Sequence, residues 1–95
     1  MKYELRSLEN QVILITGGSS GICMATETAF AEEGSKLVIN ARGTTRLDKI
    51  VQKIGSAQAI GVVGDCSDSS VTKKMAAIAI EKWGRIDSLV ANSGT

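Results

Sequence analysis

Gln11-Val12-Ile13-Leu14-Ile15-Thr16-Gly17-Gly18-Ser19-Ser20-Gly21-Ile22 decides the reading of this 95-residue chain. The run from Gln11 to Thr16 is nearly all apolar and is ended by two glycines, the pattern of a strand buried on both faces of a parallel sheet. From Gly21 to Glu33 the apolar residues Ile22, Ala25, Ala29 and Phe30 recur at helical spacing, with Ser19 and Ser20 available as caps and Gly34 as a stop. The stretch is therefore a strand, a glycine-rich turn and the start of a helix. Amides that open such a helix have no intrahelical acceptor, and the positive end of the helix dipole lies beside them. Glycines let that backbone come close to a phosphate. A simple strand-to-helix turn is the alternative reading of the loop alone. A P-loop fits poorly, because Ile22-Cys23 follow the last glycine where Lys-Ser or Lys-Thr is needed, and no lysine lies between Lys2 and Lys36. The pattern G-x-G-x-x-G fails too, since the glycines stand at 17, 18 and 21.

The same alternation continues outward. Lys36 to Ala41 is a short apolar strand, and Thr44 to Ile54 puts Leu47, Ile50, Val51 and Ile54 on one helical face before Gly55. Ala59 to Val63 reads as a third strand. Asp68 caps a longer helix in which Val71, Met75, Ile78 and Ala79 repeat until Trp83-Gly84, and Asp87 to Ala91 reads as a fourth strand. The order β-α-β-α-β-α-β, with short connections, implies an α/β fold with a parallel sheet and helices on its faces, and one domain over residues 1–95.

Composition narrows the function. Eleven Lys and Arg against ten Asp and Glu leave a net charge of +1, without the basic excess expected for binding nucleic acid or an anionic membrane. Apolar residues at 43% and charged residues at 22% suit a folded, soluble protein. The longest aliphatic runs fall short of the ~20 residues of a membrane span. Residues 1–9 carry acids and lack an apolar core, so neither a secretory nor a transit peptide is expected, and the chain is expected in the cytoplasm. With no His and only Cys23 and Cys66, neither a zinc knuckle, a disulfide framework nor a Ser-His-Asp arrangement can be built from these residues.

Three segments together resemble the short-chain dehydrogenase/reductase family. Thr16-Gly17-Gly18-Ser19-Ser20-Gly21-Ile22-Cys23 is similar to its T-G-x-x-x-G-x-G loop, with Cys23 where the third glycine belongs. Gly64-Asp65-Cys66-Ser67-Asp68 is similar to the segment after its third strand. Lys82 to Gly94 is similar to the run into its N-N-A-G motif, here Ala91-Asn92-Ser93-Gly94. The resemblance covers about Leu8 to Thr95 and implies the first half of a Rossmann-like fold, cut after strand four. It implies a dinucleotide site built from Thr16, Gly17, Ser19, Ser20, Gly21 and Ile22 in the loop, Arg42 after strand two, Asp65 and Cys66 after strand three, and Asn92 and Gly94 after strand four. Asp65 would meet the adenine ring, Asn92 would chiefly brace the sheet, and Cys66 reads as a packing residue before a chemical one.

An acid at the end of strand two selects NAD by bonding the ribose 2′-OH, whereas an Arg there pairs with the 2′-phosphate of NADP. Asn40-Ala41-Arg42-Gly43 has no acid, so NADP(H) is favoured over NAD(H), with Arg42 as the phosphate partner. The family's catalytic Ser, Tyr and Lys lie beyond its fourth strand. Tyr3 is the only tyrosine here, and the residue four positions on is Ser7 rather than Lys, so the chain alone is expected to catalyse nothing. Strand four would be left as an edge with Leu89 and Val90 open to self-association or to a complementing chain. The competing reading is a non-catalytic nucleotide-binding or interaction module that uses this edge.

Overall fold

The computed structural model describes residues 9–17 and 21–91 of the chain, with the side chains of residues 21–24 left out. Four strands, β1 (Val12–Thr16), β2 (Lys36–Ala41), β3 (Ala59–Val63) and β4 (Ser88–Ala91), alternate with three helices, α1 (Gly21–Glu32), α2 (Thr44–Ile54) and α3 (Ser69–Trp83). All strand pairs are parallel and the sheet order is β3-β2-β1-β4. Observed and expected boundaries differ by one residue at β1, α1 and β4. The expected α/β fold is therefore present.

Strand alternation sorts the core into two layers. Ile13 and Ile15 of β1 pack with Leu37, Ile39 and Ala41 of β2, Leu47 and Ile50 of α2, and Ala59, while Phe30 and Ala31 of α1 close over them. On the other face Val12, Leu14, Val38 and Val62 pack against Met75 and Ala79 of α3, with Trp83 half-buried beside them. Connections β1-α1-β2 and β2-α2-β3 step one way across the sheet. The connection through α3 returns over two strands to β4, which puts α3 on the opposite face. The strand order reverses between β1 and β4, and in open α/β sheets ligands bind at the carboxyl ends of the strands beside such a reversal.

Local signals explain the helix ends. Asp68 Oδ1 accepts hydrogen bonds from the Ser70 amide at 2.9 Å and from the Ser70 hydroxyl at 2.8 Å, and so caps α3. Gly84, at φ 76°, closes α3 by donating its amide to Ala79 and Ile80. A left-handed conformation of this kind strains any residue with a Cβ. Gln58 donates Nε2 to the carbonyls of Ala31 and Ser35, both at 2.9 Å, and so ties the end of α1 to the start of β3.

Helix α1 departs from the face its apolar spacing suggested. Ala25 and Ala29 are exposed, and the buried stripe runs instead through Glu27, Phe30 and Ala31. Glu27 has no exposed surface, and neither of its carboxylate oxygens has a hydrogen-bond partner among the described residues. Burial pushes its carboxyl up to about 8. Phe30 fixes this orientation: a large ring three residues on gains more from contact with the sheet than two alanine methyls do, and it carries Glu27 inward with it.

Candidate dinucleotide site

Thr16 ends β1, buried, at the centre of the sheet. Gly17 follows at φ 67°, a left-handed conformation that starts the turn toward α1. Gly21 is the first helical residue and Ile22 the second. Gly18, Ser19, Ser20, Asn92, Ser93 and Gly94 lie outside the described residues, as do the side chains of Ile22 and Cys23.

The ends of β2 and β3 bring the distant candidates together. Arg42 is exposed directly after β2, and Asp65 is exposed two residues after β3. Asp65 Oδ1 accepts from both the amide and the hydroxyl of Ser67, each at 2.9 Å. Those two bonds, with a smaller pull from the Arg42 guanidinium, hold the Asp65 carboxyl below its ordinary range. Asp65 is thus an ionised acceptor next to a cation. Cys66 is an exposed free thiol between them and Asp68. Among the described residues no group of three or more His, Cys, Asp or Glu could hold a metal, and no helix is long and apolar enough to cross a membrane.

Asn40, absent from the sequence-derived site, joins these loops. It is 1% exposed near the end of β2. Its Nδ2 donates to the carbonyls of Val62 at 3.0 Å and Gly64 at 2.9 Å, and its Oδ1 accepts the Gly17 amide at 3.4 Å. The only available signal was an amide in a strand of otherwise apolar residues, where Asn is disfavoured unless its polar groups are satisfied.

Gly64 fixes the third loop. Its amide donates to Ala41 at 3.0 Å. Its φ is 156°, and a Cβ there would stand 2.6 Å from Val71 Cγ2. Gly64→Ala is therefore expected to destabilise the protein by about 2 kcal/mol, from strain and overpacking. Urea denaturation checks it, and an unchanged midpoint would show that the turn tolerates a side chain.

The groups gathered here are of the kinds a dinucleotide can engage: helix-start amides and the Arg42 guanidinium as donors, and the ionised Asp65 carboxylate as an acceptor on the neighbouring turn. A family model described as short chain dehydrogenase matches residues 11–95. An uncharacterized oxidoreductase of Listeria monocytogenes is 43% identical over 90 residues, covering 93% of this chain and 36% of the relative. A 3-ketoacyl-(acyl-carrier-protein) reductase from Brucella melitensis, solved in complex with NADH, superposes with a TM-score of 0.78 at 35% identity, over 87% of this chain and 34% of that one. L-Sorbose reductase from Gluconobacter frateurii, solved with NADPH and L-sorbose, gives 0.80 at 30% identity, over 92% and 34%. The chain spans about a third of the length of the relatives it matches. With a matching model over nearly the whole sequence and the parallel sheet that such enzymes share, the chain belongs to the short-chain dehydrogenase family.

Proposed function

We propose that these residues form the NADP(H)-binding portion of an oxidoreductase that transfers hydride between the nicotinamide and a carbonyl or alcohol. One observation carries the preference for NADP(H). Of Asn40 and Ala41, which end β2, and Arg42, which follows them, Asn40 is consumed by internal hydrogen bonds, Ala41 is buried at 1% exposure, and only Arg42 is exposed. A guanidinium carries a full positive charge and a planar fork of donors that match the oxygens of a 2′-phosphate, whereas the neutral 2′-OH of NAD gives it neither a counter-charge nor a bidentate partner.

In this reading Gly17, Ser19, Ser20, Gly21 and Ile22 hold the diphosphate, with Thr16 anchoring the loop. Arg42 holds the 2′-phosphate, Asp65 accepts from the adenine amino group beside Cys66, and Asn92 and Gly94 line the cleft after β4. The bound cofactor supplies the hydride. A Tyr-x-x-x-Lys pair to move the proton does not occur in the 95 residues, so the chain alone is inactive. The edge of β4, with Leu89 55% exposed, supports pairing with a second copy or a complementing segment. The charge balance and lack of a membrane-crossing helix among the described residues fit action in the cytoplasm.

Calorimetric titration of the chain with NADPH and with NADH tests the reading. Trp83 is a poor reporter, because α3 starts at the ligand end of the sheet and Trp83 ends it at the opposite one. Tighter binding of NADPH is expected, and no heat from either dinucleotide at millimolar concentration would overturn it.

A further inference from the structure

We propose that Asn40 is a positioning residue for the dinucleotide site, a single carboxamide that sets the turn at Gly17 relative to the turn carrying Asp65. The inference rests on the dinucleotide reading above and deepens it.

By strand alternation Asn40 points to the α3 side, in line with Val38 and beside its register partner Val62. An aliphatic side chain would satisfy that environment. Burying an amide there costs free energy unless both its donors and its acceptor are used. All are used, and on two different connections: Nδ2 on Val62 and Gly64 at the exit of β3, Oδ1 on Gly17 at the exit of β1. The bonds reach across 22 to 24 residues of sequence in each direction. The Gly64 amide is in turn fixed by Ala41, so the Asp65 turn is held to β2 by backbone and by side chain. The elements that would grip a diphosphate and an adenine at the two ends of one ligand thereby share a rigid reference. A ligand that spans two sites gains affinity when their separation is set in advance.

The test compares the wild-type chain with Asn40→Val and with Ile50→Val, the latter a core change in α2 remote from both turns. Each is measured for NADPH affinity, thermal midpoint and amide hydrogen exchange at Gly17 and at residues 65–67 without ligand. The expected result is a loss of NADPH affinity of about tenfold or more for Asn40→Val. Faster exchange at both turns accompanies it, while Ile50→Val lowers the midpoint and leaves affinity and exchange unchanged. Affinity within about twofold of wild type in Asn40→Val overturns the proposal, as does an equal loss in a thermally matched Ile50→Val. If Asn40→Val does not fold, Asn40→Thr, which keeps one donor and one acceptor, is read in the same way. Failure of the wild-type chain to bind either dinucleotide defeats the functional reading itself, and exchange at the two turns then decides whether the carboxamide tether exists without it.

Discussion

Glu27→Gln raises stability by about 3 kcal/mol at pH 7 and leaves it almost unchanged near pH 4.5. The buried carboxyl stays protonated in the fold up to about pH 8, whereas the unfolded chain loses that proton near its ordinary value of 4.5. Between those values each pH unit shifts the balance toward the unfolded chain by about 1.4 kcal/mol. The sign follows: a folded pKa raised for an acid gives stability that is intact below the unfolded value and is lost as pH rises. Gln keeps the shape and the buried polarity, so the comparison isolates ionisation. Urea midpoints of the two proteins measured from about pH 4.5 to about pH 8.5 check it, and parallel profiles would mean that Glu27 finds water or a partner. For a domain whose whole stability is of the order of 5–15 kcal/mol, this one side chain is a large share.

The acid limb runs the other way. Asp87 Oδ1 pairs with Arg85 Nη2 at 2.6 Å, and its Oδ2 accepts the Val12 amide at 2.8 Å. The bond from Arg85, then that from Val12, hold the Asp87 carboxyl below its ordinary range. Its contribution is present above the unfolded value and disappears as pH falls, as do those of the capping Asp68 and of Asp65. Greatest stability therefore lies on the acidic side of neutrality, between the loss of these bonds and the ionisation of Glu27.

Arg42→Ala weakens NADPH binding by about 10- to 100-fold, the range for one charge-assisted, bidentate contact with a phosphate, and leaves NADH binding nearly unchanged. Arg42→Lys recovers part of the loss, since a point charge remains but the planar fork does not. Because Arg42 is exposed, the thermal midpoint should move little. Parallel titrations of the three proteins with NADPH and NADH supply the measurement. Equal losses for both dinucleotides would place Arg42 outside the ribose site and remove the basis for preferring NADP(H).

Much of this protein was legible in its sequence because the determinants are local. The buried run before Gly17 specified β1, Asp68 and Gly84 marked the ends of α3, and Leu47 and Ile50 named the inner face of α2. Each depends on residues within a turn or two, where hydrogen bonding and side-chain periodicity act directly. The place of Arg42, directly after β2, was likewise legible from order along the chain.

Tertiary structure alone decided which face of α1 turns inward, because Phe30, two alanines and an acid compete for the same sheet and only packing ranks them. It also decided that Asn40 would spend its amide on Gly17, Val62 and Gly64, and that Arg42 and Asp65 would stand near enough to influence each other. Those contacts join residues more than 20 positions apart. They exist only because parallel pairing lays the ends of β1, β2 and β3 side by side, a distance that no spacing in the sequence encodes.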